Sequence, residues 1–304
     1  MEPLVSIICI SYNHGPYIQE ALKSVLAQRY ESIEIIVLDD GSSDNSQEEI
    51  KSTLGDNAIR FIAHESNIGY TKTFNEGLAY AKGDFIVDFA LDDVMLPDFV
   101  KSGVDRFIQE PNKTGVVYSN ADYIDESSQS IGNHKEPLLA KGLVTEFAQG
   151  DIFENVLRRY FICTPTMIIK KEVFDRLGGY DESLAYEDFD FWVRSSRYWH
   201  YAYIDEVHMQ KRKLQTSMSA NRYRHSQNEQ LASALKVCQK AFHLCKTKAE
   251  RKALIERLNY EYRQCLRNEA IELAESYQSL LKEVGGAIDI VSKAVRFLRG
   301  DFKR

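Results

Sequence analysis

No stretch of the 304-residue sequence approaches the ~18 apolar residues of a membrane-spanning helix, so any membrane contact is expected to be peripheral. Positive charge is scarce too. Lys and Arg number 38 against 45 Asp and Glu, a net charge of -7, which argues against a nucleic-acid partner and leaves room only for a local basic patch. The five cysteines (Cys9, Cys163, Cys238, Cys245 and Cys265) are odd in number and widely spaced. Neither a CxxC pair nor a Cys/His cluster of zinc spacing occurs, so they read as reduced thiols of a cytoplasmic protein. A signal peptide is not expected, because Met1 to Pro3 runs straight into apolar Leu4–Ile10 with no basic start. The sequence lacks GxGxxG, GxxxxGK[ST] and GxSxG, which counts against a dinucleotide fingerprint, a P-loop and a hydrolase elbow.

What is present is ordinary globular material, 44% apolar and 27% charged, in a chain long enough for a large buried core. Leu4–Ile10 and Ile33–Leu38 are short, β-branched and almost wholly apolar, as strands covered on both faces are. Ile59–Ala63 and Phe85–Leu91 continue the series. Helical spacing falls between them, at Tyr17–Gln28, Ser46–Leu54 and Thr71–Ala81. This alternation predicts an α/β fold with a parallel, doubly wound sheet. Further strands are expected at Val116–Ser119, Thr166–Ile169 and Tyr201–Ile204, with a helix at Glu187–Arg197 and loops or a hairpin over Asp122–Lys141. Composition shifts near Asn221. From there to Leu281 the chain is rich in helix formers and has no Pro or Gly, so a helical extension over 221–304 is expected to follow a domain over 1–220.

In open α/β sheets, ligands sit beyond the carboxyl ends of the strands. Ser11–Asn13, Asp39–Ser42 and Asp92–Asp93 all fall at such ends. Adjacent carboxylates at Asp92 and Asp93 repel, and Mg2+ or Mn2+ would relieve that while holding phosphates; a helix N-cap before Leu96-Pro97-Asp98 is the equal alternative. Asp39-Asp40 can accept from a base or ribose, or simply form an Asx turn with Gly41. Tyr12 can stack on a base or pack. In AYEDFDFWVR, Asp188 would share a helix face with Trp192, an apolar setting that suits a general base, unless Glu187 and Asp188 only cap the helix.

Together these elements resemble the family 2 inverting glycosyltransferases of GT-A fold over residues 4 to 217. The carriers are S-Y-N, Ser24-Val25-Leu26 with Gln28, D-D-G-S-S-D, N-x-G…N-x-G…A-x-G-D, the acidic pair before L-P-D, and G-G-Y-D-E…E-D-x-D. The resemblance implies a GT-A catalytic domain with a mostly parallel sheet. It implies that Ser11, Tyr12, Asn13, Asp39 and Asp40 hold a nucleotide, the donor being a UDP-sugar or related nucleoside diphosphate sugar. Asp92 takes the metal-ligand position with Asp93 beside it, Asp188 the catalytic base, and Glu187 a substrate-orienting place. The family's D-S-D-D reads Ala90, Leu91, Asp92, Asp93 here, and its helix arginine is Phe74, with Lys72 as a substitute phosphate contact. Lys211, Arg212 and Lys213 read either as a lid over the diphosphate or as a solvated charge run, with Leu214 where a histidine is common.

The implied reaction is transfer to an acceptor hydroxyl, saccharide or lipid-linked, in polysaccharide or glycoconjugate biosynthesis of the cell envelope. A non-catalytic nucleotide-sugar binder on the same fold is the alternative. A sugar nucleotidyltransferase is disfavoured because Ser11–Gly15 holds a single glycine. The tail places Ile288, Val291, Val295 and Leu298 on one stripe, with Lys293, Arg296, Arg299, Lys303 and Arg304 supplying positive charge. That fits either packing, on the catalytic domain or a second copy, or contact with anionic lipid at the inner face of the membrane.

Overall fold

A computed structural model of the chain describes residues 2–214 and 229–298. In chain order the elements are β1 (Val5–Ser11), α1 (Gly15–Leu26), β2 (Ile33–Asp39), α2 (Ser46–Leu54), β3 (Arg60–Ala63), α3 (Tyr70–Tyr80), β4 (Phe85–Ala90), β5 (Val94–Met95), α4 (Phe99–Gln109), β6 (Thr114–Ile124) and β7 (Ser130–Asn133). There follow α5 (Lys135–Ala140), α6 (Phe153–Arg158), β8 (Ile168–Lys170), α7 (Lys171–Leu177), α8 (Glu187–Ser196), β9 (His200–Arg212), α9 (Glu229–Leu244), α10 (Lys248–Arg267), α11 (Ile271–Glu283) and α12 (Ile290–Leu298). They form two compact units: residues 1–150, 161–181 and 198–214, and residues 151–160, 182–197 and 215–304. Residues 151–160 and 182–197, which precede the helical extension expected over 221–304, cluster with the C-terminal helices.

The first unit is built on one sheet with the strand order β3-β2-β1-β4-β8-β6-β9-β5, and β7 beside β6. Its first four strands are parallel, as their uninterrupted apolar runs require. Beyond β4 the sheet is mixed: β8 runs antiparallel to both β4 and β6, while β9 is parallel to β6. Two strands are much longer than their apolar cores indicate. β6 extends Val116–Ser119 through polar Asn120 and Asp122, and β9 extends Tyr201–Ile204 through Asp205, Glu206 and Gln210 to Arg212. The two pair along their length through three register shifts, so the pairing is tertiary and overrides local polarity.

Val5, Ile7, Cys9, Val37, Val87 and Phe89 form one apolar face, packed with Ile18, Ala21, Leu22 and Val25 of α1 and Ile50 of α2. The opposite face meets α3 at Gly77, where a Cβ would lie 2.6 Å from Ile8 and 2.9 Å from Leu38. Phe74, at the expected arginine position, is fully buried, its ring 4.5 Å from Tyr180 and 5.3 Å from Phe174.

The second unit is helical. Arg257 of α10 is fully buried, 3.8 Å over the ring of Tyr160, and donates through Nε to the carbonyl of Leu157 at 2.8 Å. A capping box explains where α10 starts: Thr247 accepts from Glu250 N–H and the Glu250 carboxylate answers Thr247 N–H. The tail helix α12 docks on α10 by polar contacts rather than by the expected stripe. Arg263 pairs with Asp289 at 2.8 Å, and Ser292 Oγ donates to Asn259 Oδ1 at 3.2 Å. Ile288 and Val295 are half-buried, whereas Ile290, Val291 and Phe297 are exposed. Residues 221–228 of the expected helical extension, the Leu298 side chain, and Arg299, Lys303 and Arg304 lie outside the described residues. Among the described residues no helix is long and apolar enough to cross a membrane.

Candidate active site

The three polar sets leave one edge of the sheet. Ser11 is level with Asp39 across β1 and β2, and Ile10 with Ala90 across β1 and β4. The N–H of Asp40 donates to the Ser11 carbonyl, and that of Leu91 to the Ile10 carbonyl. Chain order reverses between β1 and β4, so this edge is a topological switch point, the place where open α/β sheets bind ligands.

The first acidic turn is largely self-contained. Asp39 is buried and accepts from Ser42 N, Ser42 Oγ and Gln47 Nε2, at 2.9, 2.6 and 2.9 Å. Gly41 has φ +71°, and a Cβ there would lie 2.3 Å from the main chain of Ser66, so only glycine fits. Asp40 is also buried. It accepts from the N–H groups of Ile68 and Gly69, at 2.8 and 3.0 Å, and lies 3.2 Å from His64 Nδ1. The N-x-G motif at Asn67–Gly69 is thereby docked on the turn. His64 also meets Glu76 at 2.8 Å; burial alone would lower its pKa, but hydrogen bonds to Glu76 and Asp40 raise it above the ordinary value.

Within the S-Y-N loop, Ser11 is buried and its Oγ has no hydrogen-bond partner among the described residues. Asn13, at φ +55°, is tied to the acidic turn: its N–H donates to Ser42 Oγ and its Oδ1 accepts from Ser43 N–H. Tyr12 is 45% exposed and so free to meet a planar ligand. Lys72 is exposed in the first turn of α3.

The second acidic turn is open. Asp92 is half-exposed, and among the described residues no hydrogen bond or ion pair engages its carboxylate. Asp93 is buried, and its Oδ1 accepts from Arg212 N–H at 2.7 Å. Burial and the neighbouring Asp92 charge push the Asp93 carboxyl well above the usual carboxylate range. Ala90 is half-exposed and Leu91 fully buried. Next in the chain, β5 pairs with β9, and α1 grips the segment that follows. Ser24 Oγ accepts from Met95 N–H, while Gln28 donates to the Leu96 carbonyl and accepts from Val100 N–H. Those contacts give Ser24 and Gln28 of the motif a structural purpose.

No group of three or more His, Cys, Asp or Glu able to enclose a metal occurs among the described residues. Asp92 and Asp93 nevertheless fit Mg2+ or Mn2+, which take one or two carboxylates and fill their shell with water and substrate phosphates. The mutual repulsion of this pair is relieved by a cation.

The basic trio is not a lid. Lys211 and Arg212 belong to β9 and Lys213 follows directly, so side chains alternate across the sheet. Lys213 Nζ lies 3.8 Å over Tyr123, whereas Arg212 is buried, which neither the reading as a lid nor that as a solvated charge run anticipates.

Glu187 and Asp188 open α8 in the second unit, Glu187 buried and Asp188 half-exposed, with Phe189, Phe191 and Trp192 buried behind them. Asp190, the last acid of the motif, is fully buried and bridges Arg194 at 2.6 Å and Lys240 at 2.7 Å.

Comparison with known proteins bears on the fold and the family. The fold is similar to that of S. aureus TarS 1-349 in complex with UDP-GlcNAc, with a TM-score of 0.69 at 17% identity, over 97% of this chain and 85% of that one. It is also similar to the mannosyltransferase PcManGT of Pyrobaculum calidifontis in complex with GDP-Man and Mn2+, with a TM-score of 0.61 at 18% identity, over 98% and 79%. The architecture is thus the GT-A α/β fold. Glycosyl transferase family 2 matches residues 6–178, more than half of the chain, and the protein belongs to that family. An uncharacterized glycosyltransferase of Rickettsia felis is 32% identical over 197 residues, 64% of this chain and 32% of that one. The match spans from 32% to 59% of the length of the first curated relatives.

Proposed function

We propose that the chain is an inverting glycosyltransferase that moves a sugar from a nucleoside diphosphate sugar, a UDP-sugar in the first instance, to an acceptor hydroxyl. The observation that carries this is the placement of Tyr12, the Asp39–Asp40 turn and the open Asp92 carboxylate on one edge of adjacent parallel strands. Relatives of the same fold bound to UDP-GlcNAc and to GDP-Man with Mn2+ support the donor class.

In this reading Tyr12 stacks on the base and the main chain around Asp40 lines its pocket. Asp92, with Asp93 beside it, would hold a divalent cation, which would neutralise charge growing on the leaving diphosphate. Lys72 contacts phosphate. Asp188 takes the proton of the acceptor hydroxyl, so that the oxygen attacks the anomeric carbon opposite the diphosphate and the configuration inverts. Glu187 orients the acceptor. A thermal-shift screen of UDP- and GDP-sugars with and without Mn2+ identifies the donor. Asp188→Asn is then expected to lower turnover ~100- to 10,000-fold with donor binding retained; full activity in that variant overturns the assignment. A non-catalytic binder is the second reading. It predicts a donor shift without release of nucleoside diphosphate in the presence of saccharide acceptors.

The setting proposed is the cytoplasmic face of a membrane, with a saccharide or lipid-linked acceptor for cell-envelope glycan. Exposed Ile290, Val291 and Phe297 on α12, beside Lys293 and Arg296, support contact with anionic lipid. Flotation with phosphatidylglycerol vesicles is expected for the wild type and lost in Phe297→Ser; equal flotation of both removes α12 from the proposal.

A further inference from the structure

Arg212 is the most enclosed cation near the acidic edge, and its surroundings are unusual for a structural arginine. The side chain is fully buried, yet its carboxylate partner, Glu20, lies at the surface with 45% exposure. A buried charge facing one half-solvated partner contributes little to stability beyond what an apolar side chain of the same size supplies. Its hydrogen bonds point to a different role. Nε donates to the carbonyl of Asp92 at 2.8 Å. Nη1 donates to the carbonyl of Asp125 at 2.8 Å and to Ser128 Oγ at 3.0 Å. Nη2 donates to Glu20 Oε2 at 2.7 Å, and the guanidinium lies 4.4 Å from the ring centroid of Tyr17. The residue's own N–H holds Asp93 Oδ1.

We infer that Arg212 is the positioning residue of the acidic turn: one residue fixes the peptide plane of Asp92 and the carboxylate of Asp93 together. This rests on the reading of that turn as the cation and diphosphate site. The bond to the Asp92 carbonyl sets the peptide that follows, and with Asp93 buried and held, the half-exposed Asp92 carboxylate is the one left to meet a cation. The same fork anchors the turn between β6 and β7, where Ser128 sits at φ +60° and donates to Glu20 Oε2 at 2.8 Å. Only a planar, multi-directional donor can serve Asp92, Asp125, Ser128 and Glu20 at once. Lysine has charge but a single nitrogen, and cannot replace it.

The test measures the turn and the cation separately. Hydrogen–deuterium exchange is followed on peptides covering 90–96 and, as a reference, 5–11, in wild type and Arg212→Lys. Mn2+ affinity is measured by the electron paramagnetic resonance signal of free Mn2+, with UDP and with GDP. Arg212→Lys is expected to exchange faster at 90–96 with 5–11 unchanged. Its Mn2+ affinity is expected to fall about 10- to 100-fold, as for other groups that orient metal ligands. Wild-type exchange at 90–96 in that variant overturns the inference, and so does a loss of protection shared equally by both peptides. If Arg212→Lys does not fold, Glu20→Gln and Ser128→Ala carry the test, with the same selective loosening expected at smaller size; protection unchanged in both overturns it. A wild type that binds Mn2+ with neither nucleotide sinks the donor reading, while the exchange measurement still decides whether Arg212 positions the turn.

Discussion

Two turns of this protein look alike in sequence and behave oppositely in structure. Each follows an apolar strand and begins with two aspartates. In the first, Asp39 and Asp40 are buried and take hydrogen bonds from Ser42, Gln47, Ile68 and Gly69. Asp44 of the same motif caps the start of α1, accepting from Gly15 N–H at 3.0 Å. The second turn leaves Asp92 open and is held from outside, by β9 more than a hundred residues later and by α1. An acidic doublet is therefore ambiguous by itself. What separates scaffold from ligand here is whether the surrounding chain already satisfies the carboxylates.

The contrast can be broken most directly at its ends. Asp92→Ala is expected to abolish the Mn2+-dependent part of donor binding while leaving thermal unfolding close to wild type, because its carboxylate makes no hydrogen bond or ion pair among the described residues. Calorimetric titration giving wild-type donor affinity with Mn2+ would remove Asp92 from the site. Asp39→Ala should do the reverse. It strands the donors of Ser42 and Gln47, at a cost of about 2 to 3 kcal/mol, with the Mn2+ dependence of binding to the remaining folded protein preserved. Denaturant unfolding indistinguishable from wild type contradicts that.

The smallest effect concerns His64. Its folded pKa is raised, so its protonated form stabilises the fold. That contribution is complete below the unfolded value of about 6.5 and disappears as pH rises through the folded value. His64→Gln should flatten the pH dependence of unfolding in that window, whereas a profile superimposable on wild type shows that the Asp40–His64–Glu76 contact does not titrate with folding.

Much of the parallel half of the sheet was legible, because β1, β2 and β4 are continuous apolar runs ended by polar turns. The mixed half was legible only in its apolar stretches, at Val116–Ser119, Thr166–Ile169 and Tyr201–Ile204. β9 breaks its apolar alternation at Asp205 and Glu206 and owes its length to pairing with β6, which no local pattern records. For the same reason Lys211–Lys213 looked like a charge run. Alternation on a strand sends Arg212 inward, but only once the strand is known to reach it. The S-Y-N and D-D-G-S-S-D residues were recognisable as a set, and their mutual bonds, such as Asn13 to Ser42 and Ser43, which no local pattern records, build the edge.

The shared anchor at Arg212 carries a practical consequence for protein engineering. The exposed turn between β6 and β7 is a segment that a designer would exchange freely. It hangs on the same guanidinium as Asp92. A graft spanning residues 125–129 from another family member would therefore disturb the Asp92 peptide as well, unless Ser128 and the Asp125 carbonyl geometry travel with it.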